Sequence, residues 1–266
     1  MARSALMNVM VTAVMKAGRG LARDFGEVQN LQVSVKGPGD FVSQADLKAE
    51  EVLRKELQRA RPSFGFLLEE GGTVEGTDPQ HRWIIDPLDG TTNFLHGIPA
   101  FCVSVALESQ GRIVAGVIYN PATDELFTAE RGAGAFLNDR RLRVAGRRML
   151  SDCVIVSGVP HLGRGDHGKY LIELRHVMNE CVGIRRSGSA ALDLAYVAAG
   201  RFDGYWENGL QAWDIAAGII MVREAGGFVT DRNGGDTMLE SGNLVAGNEK
   251  IADQLRTVVN RPLKSA

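Results

Sequence analysis

From Phe101 to about Val144 short apolar runs follow one another with only turn residues between them, and beyond about residue 150 similar runs are separated by helix-length stretches. That switch constrains the fold more than any other feature. The first region, "FCVSVALE", "RIVAGVIY", "ELFTAE", "GAFLN" and "RLRVA", reads as an antiparallel meander. In the second, "CVIVSG", "GIRR", "FDGYWE" and "NLVAGN" alternate with helices near Lys169–Glu180, over "AALDLAYVAAG" and over "AWDIAAGIIMVREAG", and a final helix follows. The expected class is α+β, with an antiparallel α+β half at 1–147 and an α/β half at 148–266, the seam lying in Gly146–Ser151. At 266 residues the chain is within reach of one compact unit or of two lobes sharing an interface.

Ahead of the meander, Leu6, Val9, Met10, Ala13, Val14 and Ala17 recur at helical spacing, so "ALMNVMVTAVM" reads as an amphipathic helix rather than a signal-peptide core. No apolar run approaches the roughly twenty residues that span a bilayer. A glycine-containing loop, "VKGPGDFVSQAD", leads to a helix from about Ala45 to Ala60, started by Ser43 or Gln44 and stopped at Arg61–Pro62. "FGFLLEE" and "RWIID" read as strands that deliver carboxylates at their ends. A formal charge of −2 gives no bulk attraction to nucleic acid or membrane. Cys102, Cys153 and Cys181 are odd in number and form no C-x-x-C, which fits a reducing cytoplasm better than a disulfide or thiolate-zinc framework.

The stretch "WIIDPLDGTTNF", Trp83–Phe94, carries the chemistry. Pro87 lacks an amide hydrogen and pushes Asp86 out of the helical region, so a turn is expected there, leaving the Leu88 carbonyl free. Gly90 permits close backbone approach, and Thr91-Thr92-Asn93 suits a helix start whose amides attract phosphate. Two carboxylates and a carbonyl beside an anion site point to a hard cation bridging to phosphate oxygens. Further oxygens are available from Glu69-Glu70, from Asp46 at a helix start, and from Asp214, the only charge between Glu207 and Arg223. A carboxylate buried there without a metal or a cation would cost several kcal/mol. Each acid also has a plainer reading taken singly: turn or cap residues for Asp86 and Asp89, a solvated strand end for Glu69-Glu70, and a helix-dipole charge for Asp46. Their convergence favours the metal site.

At these residues the sequence resembles the inositol monophosphatase family of magnesium-dependent, lithium-sensitive phosphatases. "WIIDPLDGTTNFLHGIP" is similar to the family's first signature and "AWDIAAGIIMVREAGG" to its second. "LLEEGG" and "RRSGSAALDLAYVAAGRFDGYWENG" also fit, most closely the bacterial inositol-1-monophosphatase, or extragenic suppressor protein, type. The resemblance implies a layered α-β-α-β-α sandwich and a cytoplasmic homodimer. It implies that Glu69, Asp86, the Leu88 carbonyl, Asp89 and Asp214 hold two magnesium ions, with Asp46 reaching a third through water and Glu70 further out. Gly90 and Thr91, with Asp89, would contact phosphate; Gly188, Ser189, Ala190, Glu207 and Asp214 would face the alcohol. Most metal ligands then lie in 1–147, and Asp214 with the specificity residues in 148–266. Lys36 lies where the family often has a lysine, in a loop that is slightly shortened here.

The implied reaction is hydrolysis of a small phosphorylated polyol, foremost inositol-1-phosphate, by direct attack of a water oriented by Glu69 and a Thr91–Asp46 pair. Histidinol phosphate, a sugar phosphate or a nucleotide 3′-phosphate are the alternative substrates. "GSAALD" with Glu207 suits a ring of hydroxyls and would not attract a second phosphate.

Other readings fit less well. A haloacid dehalogenase motif needs its two acids two apart, without an intervening proline. "GRGDHGKY", Gly163–Tyr170, mimics a P-loop but has tyrosine where Ser or Thr should hold magnesium, so a loop near the site mouth is expected. The histidines form no H-E-x-x-H, and there is no G-x-S-x-G elbow. Trp83, Trp206 and Trp213 read as packing behind the site rather than as a sugar platform. Arg140, Arg141, Arg143, Arg147 and Arg148 form either a solvated hairpin face or a contact for RNA or an acidic protein. The resemblance includes members that join transcription antitermination complexes, so a non-catalytic role is the second expectation.

Overall fold

The strand Asp78–Asp89 sorts its apolar side chains by parity: Trp83 and Ile85 lie in one core and Ile84 in another. Its neighbour Cys102–Ser109 does the same, with Val103, Val105 and Leu107 on the first face and Cys102 and Ala106 on the second. Both faces of this sheet must therefore be covered. The computed structural model, which describes residues 3–25, 27, 33–37 and 40–262 (33–37 and 40–42 in backbone only), shows how.

The sheet has eight strands, ordered Arg140–Arg141, Gly134–Leu137, Glu125–Glu130, Arg112–Asn120, Cys102–Ser109, Asp78–Asp89, Phe64–Leu68 and Gly72–Val74. All neighbours are antiparallel except Phe64–Leu68 beside Asp78–Asp89. Its first face carries helices Ala5–Phe25 and Gln44–Ala60, which bury Met10, Val14, Leu21, Leu53 and Leu57 against it. Helices Ala190–Ala198 and Ala212–Glu224 cover the second face. Those two helices are in turn sandwiched by a five-stranded sheet, ordered Gly183–Arg185, Val154–Ser157, Gly204–Glu207, Leu244–Gly247 and Phe228–Thr230. This explains why Ile215 to Val222 is buried without a polar face: a helix covered on both sides reads as apolar all round.

Parity again divides the second sheet. Val156, Tyr205 and Ala246 point to the middle helices, while Ile155, Trp206 and Val245 point outward to helices His167–Met178 and Glu249–Val259. Helix, sheet, helix, sheet and helix thus stack as five layers, the expected sandwich. Trp83 and Trp206 are fully buried and Trp213 packs on the central core, in keeping with their reading as packing residues. The three cysteines are free, and no helix among the described residues is long and apolar enough to cross a membrane.

The chain departs from expectation at several points. The segment expected as a loop before Ser43 contains a hairpin, Val33–Gly37 with Asp40–Ser43; the side chain of Lys36 lies outside the described residues. Pro87 does not end its strand. Pairing with Cys102–Ser109 runs from Asp86↔Ser104 to Asp89↔Cys102, three residues against two. The extra residue is a bulge that absorbs proline's missing N–H, since extended backbone suits its fixed φ. The strand Phe228–Thr230 and the helical turn Met238–Ser241 are short enough to have left no periodicity.

Candidate active site

The bulge determines where the acids point. Asp86 and Asp89, three apart, would face opposite sides of a regular strand; the inserted residue reverses that parity and turns both to one side. Asp86 is 2 % exposed, and its Oδ1 accepts the Leu88 amide at 2.9 Å. Next door, the strand Phe64–Leu68 runs parallel, and the Glu69 amide continues the pairing onto the Ile85 carbonyl at 3.2 Å. Two adjacent strand ends therefore deliver Glu69 and Asp86 together. Burial holds the Asp86 carboxyl well above the usual range, and the charges of Glu69, Asp89 and Asp214 push it the same way. Asp86 and Glu69 also share a hydrogen bond, which between two carboxylates needs a proton.

Asp214 arrives from the far half of the chain. It is the third residue of helix Ala212–Glu224, where its Oδ2 accepts the Gln211 amide at 2.7 Å in a capping box. Asp46 has the same local role in helix Gln44–Ala60. Its Oδ2 accepts the Ser43 amide at 2.9 Å and the Ser43 hydroxyl at 2.5 Å. Its Oδ1 faces the Thr91 hydroxyl at 3.2 Å, the expected pair. Asp46 thus has the helix-end role and, through its other oxygen, also meets Thr91. Burial raises the Asp46 carboxyl, and the hydrogen bonds from Ser43 work against that rise. The Thr91 hydroxyl lies 3.0 Å from the Leu88 carbonyl as well, so that carbonyl is partly engaged rather than free. One hydroxyl proton can serve only one of these two acceptors at a time.

Gly90 joins Asp89 to Thr91 at φ 95°, and a Cβ there would stand 2.9 Å from the Ala100 carbonyl oxygen and 3.3 Å from that of Gly188. Only glycine fits. The Gly188 side is held by Asn93, whose amide donates to Ala100 O at 2.6 Å and to Ser187 O at 2.8 Å. Ser189 caps helix Ala190–Ala198 and donates to Asp89 Oδ2 at 2.7 Å, and the Ala191 amide reaches the same oxygen at 2.7 Å. Burial lifts Asp89 to about 6 despite those two donors.

Glu207 ends the strand Gly204–Glu207, and the Tyr205 hydroxyl donates to its Oε2. Burial raises its carboxyl to about 7, with Asp214 adding to the rise and Arg164 and Arg186 opposing it. Gly158 packs flat on this carboxylate: a Cβ there would fall 1.9–2.1 Å from its atoms.

The structure thus gathers Glu69, Asp86, Asp89 and Asp214 into one electrostatic group, joins Thr91 to Asp46, and brings Ser189 onto Asp89 with Gly188 and Ala190 beside it. Among the described residues no three His, Cys, Asp or Glu side chains are placed so as to hold a metal ion as they stand. The donor set still suits one. Four acids with a backbone carbonyl are hard oxygen ligands, and an excess of negative charge that forces protons onto buried carboxyls is what a divalent cation relieves.

Sequence reasoning missed several residues here. Asp193, 1 % exposed, leaves Oδ1 without a hydrogen-bond partner, and burial holds it well above the usual range, with Glu207 and Asp89 adding to the rise. Its signal was the one used for Asp214, a lone charge in an apolar helix. Cys102 lies 3.6 Å from the Ser189 hydroxyl and reads in sequence as an ordinary core residue. Arg164, inside the P-loop mimic, reaches Asp214 at 3.7 Å, and nothing local announces a contact across fifty positions.

The chain is similar to known proteins in sequence and fold. The model of the inositol monophosphatase family matches residues 2–262. A Rhizobium meliloti protein named inositol-1-monophosphatase is 70% identical over 265 residues, covering 100% of both chains. The Escherichia coli K12 protein named Nus factor SuhB is 43% identical, covering 98% of each. The crystal structure of extragenic suppressor protein SuhB from Bartonella henselae, 67% identical, superposes with a TM-score of 0.95 over 98% of this chain and 100% of that one. The chain belongs to the inositol monophosphatase family.

Proposed function

We propose that the chain is a magnesium-dependent phosphate monoester hydrolase that releases phosphate from inositol-1-phosphate. The observation that carries this is the meeting of four acids from three distant segments, Glu69, Asp86 with Asp89, and Asp214, beside the Thr91–Asp46 pair. Glu69, Asp86, the Leu88 carbonyl, Asp89 and Asp214 would hold the magnesium ions, and Asp46 would bind a further one through water. Bound there, the metal supplies neutralisation of the phosphate dianion and a lowered pKa for water.

The chain's own residues do the rest. Asp46 fixes the Thr91 hydroxyl, which orients the attacking water in line with phosphorus, and Glu69 accepts its proton. Gly90 lets the backbone approach the phosphate. Ser189 and the Ala191 amide fix Asp89 by its Oδ2, leaving Oδ1 to the site. Gly188, Ser189, Ala190 and Glu207 receive the alcohol, with Glu207 accepting hydrogen bonds from neighbouring hydroxyls. The relative from Rhizobium meliloti is named for this substrate, which supports the choice over histidinol phosphate or other sugar phosphates. Phosphate release from these esters, measured against magnesium and lithium with Asp89→Asn as control, tests the reading.

A second, non-catalytic role in transcription rests on the relatives named Nus factor and on one surface. Arg147 is paired with Asp203 at 2.9 Å, while Arg140, Arg143 and Arg148 are exposed and have no ion pair among the described residues. A cellular phenotype that survives Asp89→Asn but not charge reversal at Arg140 and Arg143 would support it.

A further inference from the structure

The end of strand Asp78–Asp89 away from the acids carries a second set of groups, which the proposed phosphate hydrolysis does not use. His81 lies opposite Ser109 of strand Cys102–Ser109 in the antiparallel register. The Gln110 amide donates to the Gln80 carbonyl at 2.8 Å, which makes His81 and Ser109 a non-hydrogen-bonded pair, the kind whose side chains stand closer. Ser109 Oγ lies 3.0 Å from His81 Nε2, and His81 Nδ1 lies 2.8 Å from Asp78 Oδ2. Asp78, His81 and Ser109 thus form one hydrogen-bonded chain, the arrangement that makes a serine hydroxyl nucleophilic. It lies outside any G-x-S-x-G turn, since its members are joined across two strands.

Each member is held in place. Asp78 Oδ1 accepts the Gln80 amide at 2.9 Å, which leaves Oδ2 to the imidazole. The Gln80 amide foremost, with His81 adding to it, holds the Asp78 carboxyl below its usual value, so at neutral pH it is ionised and can only accept. The Nδ1 proton therefore belongs to the imidazole, and in the neutral ring Nε2 is the acceptor for the Ser109 hydroxyl. Stacking on Phe64, with centroids 4.6 Å apart and planes 9° from parallel, fixes the ring.

The site is open to solvent. The His81 and Asp78 side chains stay partly exposed. Beside Ser109 the chain turns through Gln110 and Gly111 at φ 52° and 71°, and a Cβ on Gly111 would meet nothing within 4 Å. His81 stands eight residues along an extended strand from Asp89, about 25 Å, so the two sites are separate.

We propose that Asp78, His81 and Ser109 form a second, metal-independent nucleophilic site that takes acyl groups from activated esters. Ser109 Oγ bonds to the acyl carbon as its proton passes to His81 Nε2. The bond from that carbon to the leaving oxygen then breaks, and the leaving group departs with that proton. Water, giving a proton to the same nitrogen, frees the carboxylic acid and restores the serine. The backbone also sets the substrate class. The Gln110 amide, next after the nucleophile, is bound to the Gln80 carbonyl and does not stabilise a tetrahedral oxyanion. Esters with a good leaving group, such as aryl acetates, need that help least, and simple alkyl esters should not react.

The test uses the full chain in EDTA with p-nitrophenyl acetate, following nitrophenolate release above the rate in buffer and locating the acetyl group by peptide mass spectrometry. Acetyl should appear on Ser109. Ser109→Ala and His81→Gln should each lower the release rate about tenfold or more, and Asp78→Asn should lower it in the same direction. Thermal melting near the wild-type temperature shows that a variant is folded, and the site of the acetyl group is read on the wild type, whatever the variants do. Acetyl found on lysines and other hydroxyls but not on Ser109, or a release rate unchanged in folded Ser109→Ala and His81→Gln, would overturn the site. Because the assay holds no metal, neither result bears on the phosphatase reading, which stands or falls on magnesium-dependent phosphate release.

Discussion

Ser189 Oγ donates to Asp89 Oδ2 at 2.7 Å across a hundred residues of chain, and the helix that Ser189 caps sends its Ala191 amide to the same oxygen. The start of helix Ala190–Ala198 and the end of strand Asp78–Asp89 are therefore fixed to each other directly. Ser189→Ala should cost about 1 kcal/mol of stability as a lost cap. Because Asp89 loses a charged-acceptor bond besides, kcat/KM should fall by about tenfold or more. Thermal melting and steady-state kinetics on the one variant separate the two effects, and a drop in stability with unchanged kcat/KM would confine Ser189 to capping.

Among the described residues, only Asp46 and the Leu88 carbonyl hold the Thr91 hydroxyl. Thr91→Ala should lower kcat roughly a hundredfold, while Thr91→Ser, which keeps the hydroxyl, should stay within about tenfold. Equal losses in both variants would mean that the methyl group, not the hydroxyl, matters.

Gly158 offers a test of the pocket wall. A methyl group there would overlap the Glu207 carboxylate, so Gly158→Ala must displace that side chain. The expected result is a KM raised about tenfold with a smaller change in kcat, at a cost of about 1–3 kcal/mol in stability. A wild-type KM would show that Glu207 makes no contact with the alcohol.

The raised acids give the metal-free protein an unusual pH dependence. Asp89 moves from 3.8 unfolded to about 6 folded, and Glu207 from 4.5 to about 7. Between pH about 5 and about 7 the folded state therefore holds more protons than the unfolded one, and stability falls as pH rises. Acids with lowered values, such as Asp78 and Asp231, are already ionised in both states across this window and contribute no slope. Melting in EDTA should drop in temperature from pH 5 to pH 7, and magnesium should reverse the drop as the cation takes the place of the protons. A melting temperature that rises through this window in EDTA would contradict the assignment of these carboxyls.

Much of this was legible in the sequence because the features involved are local. Strand periodicity anticipated the antiparallel sheet and the strand–helix alternation after it, and the lone Asp214 in an apolar helix drew attention to the acids now found near it. The five-layer stack shows why that helix is apolar throughout: it lies between two sheets, a fact of tertiary packing that no single window contains. Pro87 misled in the opposite direction. Its preference for extended backbone was read as a turn, whereas pairing on one side let the strand absorb it as a bulge, and that bulge is what puts Asp86 and Asp89 on the same side. Arg164 lay outside local reach, since its partners are Gly209 and Asp214. Asp193 was within reach by the argument used for Asp214 and was passed over.

The central claim is that the acids around Asp86 and Asp89 work as a magnesium phosphatase site, and the most direct test is phosphate release from inositol-1-phosphate as magnesium is titrated, in the wild type and in Asp89→Asn. The expected result is magnesium-dependent turnover in the wild type, inhibited by lithium, and a loss of at least a hundredfold in the variant. Turnover that persists in EDTA, or an Asp89→Asn enzyme as active as the wild type, would contradict it.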